Sequence, residues 1–153
     1  MGNPTIELNN KKVTVHSFFF NMGMTVFREQ YERHRATFST QSVIPRMAAY
    51  IVNKGYEDVA DTVFPFDDFV STEQDRSELI QWFRELKDLV LRPGFELPES
   101  WRKLLLENRP PIPITRDHFL RLAYNYQLML DLIESRIQEE RSRKLRPPPD
   151  WQP

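Results

Sequence analysis

Two short stretches near the start of the chain alternate apolar and polar residues, Thr5-Ile6-Glu7-Leu8 and Lys12-Val13-Thr14-Val15, with Asn9-Asn10 between them. Alternation of this kind puts every second side chain on one face of a strand. Asparagine tolerates the positive φ that a tight hairpin requires. Residues 1–21 are therefore predicted to form a hairpin or an extended arm. A lone two-stranded hairpin is marginal in water, so its apolar face must pack on the remaining chain or on a neighbouring subunit.

Further along, the spacing becomes helical. Phe27, Tyr31, His34 and Phe38 recur at steps of four, three and four, which predicts a helix over 22–38. On that face His34 reads as a hydrogen-bonded core or interface residue. Ser39-Thr40-Gln41-Ser42 is a polar break. A second helix over 44–54 follows, with Pro45 early, Met47, Ala48, Ile51 and Val52 inward, and Gly55 as its stop. A short helix over 56–64 closes at Pro65. The aromatics of Pro65–Phe69 then anchor a loop.

Ser71 with Gln74 matches a capping box and predicts the next helix start. Its apolar side holds Leu79, Ile80, Trp82, Phe83, Leu86, Leu89 and Val90, and Pro93-Gly94 ends it. A short helix over 99–107 carries Trp101, Leu104 and Leu105. Arg109-Pro110-Pro111-Ile112-Pro113-Ile114 must be extended and stiff. Thr115 caps a last helix over 116–144, about 43 Å long at about 1.5 Å per residue. Up to Ile133 this helix is apolar on several sides, as a buried helix is. Beyond Glu134 only Ile137 and Leu145 are apolar, and Glu139–Arg143 and Glu140–Lys144 stand at i,i+4 spacing.

The pattern predicts an all-α fold: an irregular bundle of about five or six helices with an N-terminal hairpin or arm and a long C-terminal helix. One helical domain spans 22–146, and a proline-rich tail spans 147–153. The length of 153 residues suits a single domain. With 11 Phe, 5 Tyr and 3 Trp, the chain is far richer in aromatics than disordered sequences are.

Composition removes several function classes. There is no cysteine, hence no disulfide, thiolate nucleophile or thiolate metal site, which fits an intracellular, reducing compartment. No apolar run reaches the roughly 18–20 residues of a membrane span, so no membrane partner is expected. The cluster Ser17-Phe18-Phe19-Phe20 is too short for a signal peptide. His16, His34 and His118 lack metal-site spacing. The four glycines are scattered and form no phosphate loop, and no nucleophile elbow or kinase signature occurs. Glu57, Asp58, Asp61, Asp67 and Asp68 could bind a divalent cation, but they lack the glycine and spacing of a calcium loop and read as a solvated acidic face. No catalytic residue, metal or cofactor is assigned.

Charge then changes the picture. The net charge is −1, yet residues 57–78 hold eight acidic groups against Arg76 alone. Residues 1–56 hold seven basic and three acidic groups, and residues 79–153 hold thirteen and eleven. The basic end of the last helix, with Arg136, Arg141, Arg143 and Arg146, and Trp151 in the proline tail are the candidate partner-binding residues. A basic end meeting an acidic patch on a neighbour makes a heterologous contact, which builds rings or filaments. Pro110-Pro111-Ile112-Pro113 contains a PxxP without an orienting arginine at a standard offset, and reads as a rigid spacer.

The function expected from these features is that of a non-enzymatic structural or adaptor subunit, with itself or another protein as partner. The alternative is a nucleic-acid-binding coat or nucleocapsid-type subunit. Arg28 and Arg35, flanking the aromatic face of the first helix, would then contact nucleic acid. Fifteen arginines against six lysines favour it, and the net charge opposes it. A metal-dependent hydrolase is the third reading, and it rests on the acidic cluster alone.

Overall fold

The computed structural model describes the backbone of residues 4–60, 63–134 and 147–153, with the side chains of 52–60 and 63 left out. The described residues form five α-helices and a small three-stranded sheet. The fold is thus largely helical rather than purely α.

The hairpin pairs β1 (Thr5–Leu8) with β2 (Lys11–Thr14) in antiparallel register, Thr5 opposite Thr14 and Leu8 opposite Lys11. Asn9 and Asn10 have φ of 51° and 65°, the two positive values that a primed hairpin turn demands. Ile6, Leu8, Val13 and Val15 are buried, so the alternating face packs on the chain's own helices. β3 (Val63–Pro65) adds to the free edge of β1 in parallel, giving the order β2-β1-β3. A three-residue strand is too short to show alternation. It is created by pairing with a strand 58 residues earlier, where the periodicity predicts the end of a helix. The turn Phe66–Asp68 that follows is tied to the hairpin by Asn9 N, which donates to Asp67 Oδ1 at 3.0 Å.

α1 runs from Ser17 to Arg33, starting and ending five residues before the predicted helix. His16 Nδ1 accepts from Phe18 N at 3.3 Å and caps it. Phe19 and Phe20 thereby enter the helix as core residues. His34 is the C-cap and is exposed, not a core residue, because the helix stops before it. A short turn, Arg35–Thr37, then folds Phe38 back toward Tyr31, with ring centroids 5.7 Å apart.

α2 (Val43–Ala60) passes straight through Gly55 and merges two predicted helices. A glycine inside a helix costs only about 1 kcal/mol, which does not by itself end one. α3 (Glu73–Leu91) starts from Thr72 rather than Ser71, since Thr72 Oγ1 accepts from Asp75 N at 3.0 Å. Ser71 instead donates to Asp75 Oδ2 at 3.0 Å, and Arg46 Nη2 of α2 reaches Asp75 Oδ1 at 2.9 Å. Gly94, at φ 82°, takes the left-handed turn after α3.

α4 (Glu99–Glu107) lies where the sequence predicts it. α5 (Arg116–Ile133) begins at Thr115, whose N–H donates to His118 Nδ1 at 3.1 Å. His118 takes the place that Glu or Gln holds in a capping box. α5 is described to Ile133 with Glu134 as C-cap, and the predicted stretch from 135 to 144 lies outside the described residues. α5 is the central strut, packed on α3 and α1. Its Tyr126 is fully buried and donates to the carbonyl of Gly23 on α1 at 2.6 Å. A Cβ on Gly23 would stand 3.4 Å from both Leu122 and Tyr126, at the near edge of ordinary van der Waals contact.

Candidate protein-binding surfaces

Two surfaces stand out. The first is a cleft of about 440 Å³ between the turn after α1 and the outer side of α3. Phe38 and Trp82 form its aromatic walls, with ring centroids 5.3 Å apart and planes at 86°. Glu78, Gln81 and Glu85 line it from α3, and His34 and Ser42 from the opposite side. Glu78 accepts from Ser42 Oγ and from Gln74 Nε2, and Glu85 accepts from Gln81 Nε2 at 3.1 Å. Every one of these donors is neutral. Among the described residues, no Lys or Arg forms an ion pair with Glu78 or Glu85. Trp82 is only 8% exposed, and its Nε1 has no acceptor among the described residues.

The second surface is an apolar ridge. Leu104, Leu106, Ile112 and Ile114 are 46%, 65%, 36% and 38% exposed, and they are the exposed large hydrophobics among the described residues. All four fall within eleven residues of α4 and the proline connector. α4 carries three leucines in a row, of which Leu105 alone is buried. Leu104 is therefore outside the core. The helix is held by Trp101, whose Nε1 donates to Thr25 Oγ1 at 2.9 Å and whose ring meets Phe18 edge-on at 5.0 Å. Ile112 N donates to Leu105 O at 3.0 Å and ties the connector back onto α4.

Of the residues singled out in the sequence, Arg136, Arg141, Arg143 and Arg146 lie outside the described residues. So do the side chains of Glu57, Asp58 and Asp61. Trp151 is half-buried, with its ring 5.4 Å from Tyr124 of α5 in the same chain. Arg28 is half-buried on α1. Arg35 is exposed in the turn beyond the helix, 3.8 Å from Glu32. The two arginines do not flank one helical face, because α1 ends at Arg33. Asp67 and Asp68 are exposed. Among the described residues, no three His, Asp or Glu side chains are grouped to hold a metal ion, and no helix is long and apolar enough to cross a membrane.

Three ionisable groups depart from their ordinary behaviour. Burial alone pushes the Asp75 carboxyl upward, but hydrogen bonds from Ser71 and Thr72 and the Arg46 guanidinium more than offset it, so the group is held below the usual value. Burial pushes the Tyr126 phenol well up. Burial, with Asp68 nearby, also raises Tyr50. All three are structural contacts away from the cleft.

The chain matches no family model, no curated protein and no solved structure.

No motif in the sequence marks Glu78, Gln81 and Glu85 as a site. Their spacing of three and four is a visible polar stripe on α3. Only the fold-back of Phe38 turns that stripe into the wall of a cleft.

Proposed function

We propose that this protein is a non-enzymatic structural or adaptor subunit that works by binding another polypeptide, in the first place a second copy of itself. The observation that supports this reading is the concentration of Leu104, Leu106, Ile112 and Ile114 on one exposed segment. Single exposed apolar residues are ordinary, whereas several together mark an interaction surface. The stiff proline connector adds to the case, because a segment that is already ordered loses little entropy on docking.

Light scattering tests it. The intact chain at about 100 μM should show a mass above one 18.3 kDa protomer. The double variant Leu104→Ser, Leu106→Ser should return to the protomer mass with an unchanged circular dichroism spectrum. A protomer mass for the intact chain at both low and high salt removes the self-assembly reading. The nucleic-acid alternative gains nothing from the positions of Arg28 and Arg35.

A further inference from the structure

We propose that the Phe38–Trp82 cleft receives a basic segment of another polypeptide, with arginine or lysine side chains pairing with Glu78 and Glu85. The proposal stands on the cleft's own geometry and does not depend on the α4 ridge.

The size is suitable, since sites for compact ligands run from about 300 to 1,000 Å³, and this cleft holds about 440 Å³. Its chemistry then narrows the ligand. An anion would meet two carboxylates. A purely apolar group would strip water from them and leave them unpaired, which is costly. A cation gains twice: from charge-assisted hydrogen bonds to the carboxylates, and from the negative faces of the aromatic rings. Ser42, Gln74 and Gln81 supply only neutral donors, and among the described residues no cation forms an ion pair with either carboxylate.

Spacing favours a chain over a lone cation. Glu78 and Glu85 are seven residues apart on one helix, a rise of about 10 Å. Two basic residues three apart in a polyproline II segment lie on one face, separated by about 9 Å. A free amine or guanidine offers no second charge.

The test uses the full chain and a defined probe, acetyl-Arg-Ala-Ala-Arg-amide, titrated calorimetrically at low salt. Binding tighter than about 1 mM is expected. The isosteric double variant Glu78→Gln, Glu85→Gln should weaken it about tenfold or more, as loss of charge-assisted bonds requires. Phe38→Leu, which removes one aromatic wall and leaves the carboxylates, should weaken it several-fold. Leu104→Ser with Leu106→Ser should leave it unchanged, so failure of the ridge reading and failure of this one are distinguishable. Absence of binding up to 1 mM overturns the proposal. So does equal binding by the Glu78→Gln, Glu85→Gln variant. If acetyl-arginine-amide binds as tightly as the tetrapeptide, the site is one for a single cation and the polypeptide assignment falls.

Discussion

Tyr126 and Gly23 stand 103 positions apart in the chain, yet the phenol of one donates to the carbonyl of the other at 2.6 Å inside the core. This bond fixes the depth at which α5 crosses α1. Tyr126→Phe keeps the ring and removes the bond, so stability should fall by about 1 kcal/mol. Denaturant midpoints at pH 7 measure it.

The same pair sets an alkaline dependence. Burial raises the folded-state pKa of Tyr126 above its unfolded value of about 10. A group of this sign contributes stability that is full below pH ~10 and is lost as the pH rises further. Unfolding midpoints from pH 8 to pH 11 should therefore fall less steeply for Tyr126→Phe than for the unsubstituted chain. Parallel curves would show that the phenol is not the group responsible.

Asp75 has the opposite sign. Its carboxyl is held low in the folded state by Ser71, Thr72 and Arg46. It stabilises the fold above the unfolded carboxyl value of about 3.9 and loses that effect as the pH drops through the lower folded value. Asp75→Asn should cost about 1–2 kcal/mol at pH 7, since Arg46 is partly exposed and the pair is screened. The difference between the two proteins should shrink below pH 4, as equilibrium unfolding across that range would reveal.

Trp101 anchors α4 through Thr25 and Phe18. Trp101→Phe should lower global stability by about 1 kcal/mol. Its larger effect should be local, because α4 has few other attachments. Amide exchange across 99–107 should rise more than exchange in α3 or α5. A uniform rise throughout the molecule would mean that α4 does not open by itself.

Trp82 is held differently. Its indole packs edge-on between Phe27 and Phe38 and has no described acceptor for its N–H. Trp82→Phe removes ring area and at the same time removes an unpaired buried donor. The net loss should be within about 1–2 kcal/mol, well short of the 3–5 that truncating a buried Trp to Ala costs. Comparing Trp82→Phe with Trp82→Ala by chemical denaturation measures the two contributions.

Much of the fold was legible from residues close together in the chain. Asn9-Asn10 between alternating strands specifies the hairpin through backbone sterics alone. Pro93-Gly94 stops α3, Thr115 starts α5, and the composition of 99–107 places α4. Each of these signals acts within one turn of backbone, which is why sequence reading reaches it.

Other features depended on partners far away. Val63–Pro65 became a strand because the edge of β1 was there to pair with it. Gly55 lies within α2 because a helix-interior glycine costs less than neighbouring contacts can supply. His34 left the core when α1 ended at Arg33, and Phe38 then turned back onto Trp82. The cleft is the clearest case. Its residues come from positions 34–44 and 78–85, and Ser42 reaches Glu78 across 36 residues. The sequence by itself determined the local punctuation, the helical character and the apolar strut ending at Ile133. Only the tertiary structure decided which polar stripe meets an aromatic wall, because that depends on contacts between segments whose separation no local spacing encodes.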